Sequence, residues 1–238
     1  MAQPPAADRF STSLRGRLHC FLVCISQILP LAILCVASGA AEISTSHYKR
    51  LDGKSACRIL IKGTIATGDS GAFKDAALQC IKADHSVGIV DLQSLGGNFI
   101  EALSIGEQVQ TLAATTRAPR IGRRGEEQLD TKKWNCHSDQ CVCASACFFV
   151  WISGAHRLGD ALVIHRPFIE ANIYRNMSVE EARTAYNHIE DAARNYLAKL
   201  RLPAVLVEKI FAISSTSAAL LSQDELRHCA GHHTMRSF

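Results

Sequence analysis

A serine flanked by small residues and cysteines, Cys143-Ala144-Ser145-Ala146-Cys147, heads a continuous apolar run through Phe148-Phe149-Val150-Trp151-Ile152. A hydroxyl at the mouth of a buried helix is placed for nucleophilic chemistry. The unpaired amides of the first turn stabilise developing negative charge, and small neighbours leave room for a substrate. The same position also suits a helix N-cap, the commoner use of serine there. His165 ends the short segment Leu162-Val163-Ile164-His165 and supplies an imidazole able to act as general base, provided the fold brings it within hydrogen-bond reach of Ser145. A third element, Ser94-Leu95-Gly96-Gly97-Asn98, lies between a strand-like and a helix-like segment. Paired glycines let a backbone approach a ligand closely and turn N–H groups into a cleft, although Gly-Gly is also an ordinary turn.

The cysteines offer a competing chemistry. Cys136-His137, Cys141, Cys143 and Cys147 form a C-H-x3-C-x-C-x3-C cluster, in which thiolates and imidazole are close enough to hold zinc. The spacing differs from the usual C-x2-C pair, and in an oxidising compartment disulfides are the expected outcome. Of ten cysteines, Cys20, Cys24 and Cys35 lie in an N-terminal apolar segment. The others are Cys57, Cys80, Cys136, Cys141, Cys143, Cys147 and Cys229, an odd number that leaves at least one free or paired between chains. His228, Cys229, His232 and His233 also look metal-like, but a frayed polar C-terminus is the ordinary reading. No metal and no cofactor is expected.

The elements that must position these residues alternate in type. After a polar linker, Glu42–Lys54, Arg58–Lys62 reads as a strand, followed by turns at Gly63 and Gly68. Gly71–Ala83 carries a helical stripe of Phe73, Ala76, Ala77, Cys80 and Ile81. Val87–Leu92 is a second strand, and Phe99–Leu112 a helix with Ile100, Leu103, Ile105 and Val109 inward. A charged segment from Arg117 to about residue 135 interrupts the third cycle. Strand–helix alternation predicts an α/β fold with a largely parallel sheet. The C-terminal third is helical. Capping boxes Ser178/Glu181 and Ser222/Glu225 open two helices, the first running to about Leu200, and Leu202-Pro203 starts another through Phe211.

The first forty residues differ from the rest. Arg9, Arg15 and Arg17 precede an apolar run from Leu18 to Ala37, then Ser38-Gly39-Ala40-Ala41. This pattern predicts a secretory signal or a retained membrane anchor, residues 1–41, with the following domain on the far side of the membrane. Residues 42–57 follow as linker, 58–230 as the domain and 231–238 as a tail. The net charge of +4 is mild. The basic segment Arg117–Lys133 mixes both signs without aromatics, which argues against nucleic acid as a partner.

The order of these segments resembles that of the Clp-protease proteolytic subunit and the wider ClpP/crotonase superfamily, in particular a group of exported proteins within it. The resemblance rests on Ile89-Val90-Asp91-Leu92-Gln93-Ser94-Leu95-Gly96-Gly97, Glu101-Ala102 with Ile105-Gly106, Cys143-Ala144-Ser145-Ala146-Cys147, Gly154 and Arg157, and Ile164-His165-Arg166-Pro167. It spans roughly residues 58–230. It implies a right-handed superhelix of β-β-α turns with an α-helical C-terminal part. It also implies Ser145 as nucleophile, His165 as base, and an oxyanion hole from the N–H groups of Ala146 and the Gly96-Gly97 pair. In the family an aspartate completes the site; Ala218 occupies that position, with Thr216 and Ser217 as substitutes to hold the imidazole. The reading is an extracytoplasmic serine hydrolase, in particular a peptidase acting on peptide or protein substrates. Its rivals are a degenerate scaffold of the same fold and a crotonase-like acyl-CoA enzyme. Relatives with this fold form rings or trimers, so the resemblance also implies a homo-oligomer.

Overall fold

The computed structural model describes residues 39–121, 141–169 and 171–229, all within one compact unit. Nearly all of the N-terminal segment read as a signal or anchor, most of the charged segment, Cys136, His232 and His233 lie outside the described residues. Among the described residues no helix is long and apolar enough to cross a membrane.

The architecture is α/β. Strands β1 (Glu42–Lys49), β2 (Ser55–Lys62), β3 (Ser86–Gln93), β4 (Thr115–Arg117) and β6 (His156–Leu158) form one sheet in the order β1-β2-β3-β4-β6. Only the β1–β2 hairpin is antiparallel; the other pairs are parallel. Helix α1 (Asp69–Lys82) crosses from β2 to β3, and α2 (Phe99–Thr111) from β3 to β4, as parallel pairing requires. A second sheet joins β5 (Cys143–Ala144), β7 (Leu162–Ile164) and β8 (Ala219–Leu220), with β5–β7 parallel and β7–β8 antiparallel. Helix α3 (Ala146–Trp151) follows β5. The C-terminal part is helical, with α4 (Ala171–Tyr174), α5 (Val179–Lys199), α6 (Ala204–Ala212) and α7 (Gln223–Cys229).

The segment read as a linker, Glu42–Lys54, is instead β1 and its turn. Its sequence hid it because an edge strand exposed on both faces has no apolar alternation; the hairpin turn at Gly53 (φ 77) and pairing with β2 make it a strand. The domain therefore begins earlier than residue 58.

The apolar run after Ser145 is a helix buried on every side, with Cys147, Phe148, Phe149, Val150 and Trp151 all in the core. A helix apolar all round belongs inside, and each such aromatic contributes about 1.5–3 kcal/mol by burial. In α1, Phe73, Ala76, Ala77 and Cys80 are buried, but Ile81 faces solvent; in α2, Ile105 and Val109 are buried and Ile100 is exposed. Both capping boxes form: Glu181 N–H donates to the Ser178 hydroxyl and Glu225 N–H to that of Ser222. Across the first sheet, Asp91 accepts two hydrogen bonds from Arg117 (2.6 and 2.8 Å) and lies 3.5 Å from Arg58, so the buried carboxylate is neutralised from both neighbouring strands.

Candidate active site

Ser145 is the joint between β5 and α3, and its backbone is in a conformation that L-residues avoid, φ 55 and ψ −122. Holding a non-glycine residue there costs about 1–3 kcal/mol and needs neighbours that over-determine it. Hydrogen bonds supply part of that restraint: Ser145 N–H donates to Val163 O (2.9 Å), Phe148 N–H to Ser145 O (3.0 Å), and Cys143 and Ala144 N–H to Ala161 O and Ser94 O. The Ser145 side chain caps no helix amide. Ser145 thus holds the N-cap position, but its hydroxyl does not do the capping that serine commonly does there.

The glycine pair is fitted against this joint. Parallel bridges link Ser94 to Cys143 and Gly97 to Ile65, which lays the loop beside the serine. A Cβ on Gly96 would come within 2.7 Å of Ser145 Cβ, 2.8 Å of Ala144 O and 3.0 Å of Ala146 N, and Gly96 has φ 100. Only glycine allows that approach. Gly96 N–H donates to the Ser94 hydroxyl (3.0 Å), so this amide is already committed. Gly97 (φ 131) and Ala146 both line a cleft of about 150 Å³, together with Ser145 and His165. Ala146 opens α3, where an N–H has no partner inside the helix. The rest of the wall is apolar: Leu95, Phe99, Phe149, Pro167 and Phe168.

His165 follows β7, the strand paired with β5, and this pairing carries it to the same cleft as Ser145. Its Nδ1 lies 2.8 Å from the main-chain carbonyl of Arg166. A carbonyl only accepts, so Nδ1 carries a proton, and in the neutral ring the lone pair is then on Nε2. The Arg166 peptide is itself anchored, with N–H and Nε both donating to Ile213 O (3.2 and 3.3 Å). Thr216 and Ser217 do not hold the ring; the Thr216 hydroxyl pairs with that of Ser214 (3.0 Å). Among the described residues no hydrogen bond joins Ser145 to His165, a contact that in such sites often tightens only with substrate bound. Nothing in the sequence pointed to the Arg166 carbonyl, because a main-chain acceptor has no residue signature.

The cysteines form disulfides, Cys57–Cys80 and Cys143–Cys147, and Cys141 is disulfide-bonded as well. Cys229 is a free thiol, buried, and burial pushes it up to about 12. The zinc reading of the cluster is thereby overturned, since oxidised sulfurs are not thiolate ligands. Among the described residues no group of three or more His, Cys, Asp or Glu is arranged to hold a metal. His228 Nδ1 lies 2.7 Å from Asp224 O within its own helix.

No protein-family model matches the chain, and no curated protein does. Among solved structures it is similar to a mutant of 1510-N, a membrane-bound stomatin-specific protease, with 14% identity and a TM-score of 0.46 over 72% of this chain and 75% of that one. A likeness that remote assigns no chemistry; what the cleft can do follows from Ser145, His165 and the amides around them.

Proposed function

We propose that the protein is a serine hydrolase, in particular a peptidase, acting outside the cytoplasm. The observation that carries this reading is the strained Ser145, whose hydroxyl has no hydrogen-bond partner among the described residues, sharing a cleft with an imidazole whose Nδ1 is committed elsewhere. In this reading Ser145 Oγ attacks the substrate carbonyl while His165 Nε2 takes its proton. Gly97 and Ala146 N–H groups receive the oxyanion, with Gly96 shaping the loop rather than donating. The tetrahedral adduct expels the amine, which leaves with the proton from His165. Water then hydrolyses the acyl-serine by the same route. The apolar wall of Leu95, Phe99 and Phe168 suits an uncharged side chain beside the scissile bond.

The disulfides support an oxidising compartment, in keeping with export by the N-terminal segment. The alternative, a retained fold without turnover, is favoured by one observation: Ala218 offers His165 no counter-charge. A fluorophosphonate probe separates the two. Wild-type protein is expected to be labelled, and Ser145→Ala and His165→Ala to be silent. Absence of wild-type labelling, with the fold intact by circular dichroism, favours the scaffold.

A further inference from the structure

The Cys143–Cys147 disulfide closes a ring with Ser145 at its centre. Cys143 is the last strand position but one before the serine, and Cys147 is the second residue of α3. The bridge therefore ties together the two elements whose relative direction defines the turn. The geometry of such a short ring excludes an unbroken strand or an unbroken helix from Cys143 to Cys147. If β5 ran on as strand, the two Cα atoms would stand about 13 Å apart, whereas they are 5.3 Å apart. If α3 ran back through Ser145 as far as Cys143, the Cβ atoms four residues apart would be about 5–6 Å distant, beyond the 3.5–4.5 Å that a disulfide accepts. A five-residue ring is satisfied by a sharp bend at its middle residue, and that residue is the one with φ 55.

We propose that this disulfide is a positioning element for the nucleophile, holding Ser145 in its left-handed turn against relaxation to strand or helix. Both cysteines are fully buried, so the bridge acts as a permanent lock and not as a switch open to external reductants. The catalytic consequence rests on the hydrolase reading above; the conformational claim stands on the ring itself.

The test compares two double variants of the full chain. C143A/C147A removes the ring. C57A/C80A removes a disulfide between β2 and α1, elements that contribute no residue to the cleft, and so controls for lost stability alone. Time courses of fluorophosphonate labelling give kinact and KI, and thermal melts report folding. C143A/C147A is expected to lose about tenfold or more in kinact at unchanged KI, while C57A/C80A melts lower but labels at the wild-type kinact. In a crystal structure of C143A/C147A, Ser145 is expected at negative φ. A wild-type kinact in that variant, or Ser145 still near its present φ, overturns the proposal. Wild-type protein that takes no probe, together with a relaxed Ser145 in the variant, sinks the hydrolase reading and upholds the positioning role.

Discussion

Replacing Ala218 by aspartate tests whether the imidazole lacks a counter-charge and nothing else. In the β7–β8 pair, Val163 lies opposite Leu220 and Ile164 opposite Ala219; His165 and Ala218 are the next residues on each side, and a register continued by one step would set them opposite each other. Residues directly opposite in an antiparallel pair share a face, with Cβ atoms about 5 Å apart. A carboxylate at that range stabilises an imidazolium by about 3 kcal/mol at an effective dielectric of about 20. Ala218 is exposed, and solvent screening lowers the figure toward about 1 kcal/mol. The expected gain in the second-order labelling rate is therefore between about fivefold and about 150-fold. It stays well below the roughly 10⁴-fold loss seen when a triad loses its acid, because part of that loss comes from the wrong tautomer, and here the Arg166 carbonyl already fixes the tautomer. The charge also favours protonated imidazole, so the acid limb of the rate profile moves to higher pH. The assay is fluorophosphonate labelling across pH 5–9 for wild type, Ala218→Asp and the neutral isostere Ala218→Asn, with melts run in parallel. Equal rates and equal acid limbs for the aspartate and asparagine variants refute the placement of His165 beside position 218.

Gly96→Ala places a Cβ against Ser145, Ala144 and Ala146 at a residue with φ 100, and is expected to cost about 2–5 kcal/mol in stability and to cut labelling about a hundredfold; a melt and a labelling rate near wild type would contradict the close packing. Asp91→Asn leaves Arg58 and Arg117 without their shared carboxylate, and the partly exposed arginines limit the loss to about 2–3 kcal/mol, a fall of roughly 5–10 °C by calorimetry. Thr216→Ala and Ser217→Ala should label within about twofold of wild type, since neither hydroxyl holds the imidazole; a tenfold loss in either would restore them as orienting groups. Burial pushes the Tyr196 hydroxyl up to about 12, so between pH 10 and 12 the unfolded chain loses this proton while the folded one keeps it. Urea midpoints should therefore fall over that window, less steeply in Tyr196→Phe, and an unchanged slope would exclude Tyr196 as the source.

The capping boxes at Ser178 and Ser222, the all-apolar helix after Ser145 and the strand–helix alternation could be read from residue order, because each expresses a local preference: a side chain that satisfies a nearby N–H, or a surface that must leave water. Edge strand β1 was not legible, since its pairing with β2 makes it a strand without an apolar pattern of its own. Ile81 and Ile100, on stripes that read as inward, face solvent because each lies at the margin of its helix's contact face. By itself the sequence determined that an α/β fold would form, and it named Ser145, His165 and the Gly96-Gly97 pair as the candidates to examine in it. Only the tertiary structure decided that Ser145 sits at positive φ with its hydroxyl capping no helix amide, that pairing of β5 with β7 brings His165 to the same cleft, that Gly96 spends its N–H on Ser94, and that a main-chain carbonyl holds the imidazole. These are matters of register and of backbone atoms, which are the same in every residue and so leave no mark in the order of side chains.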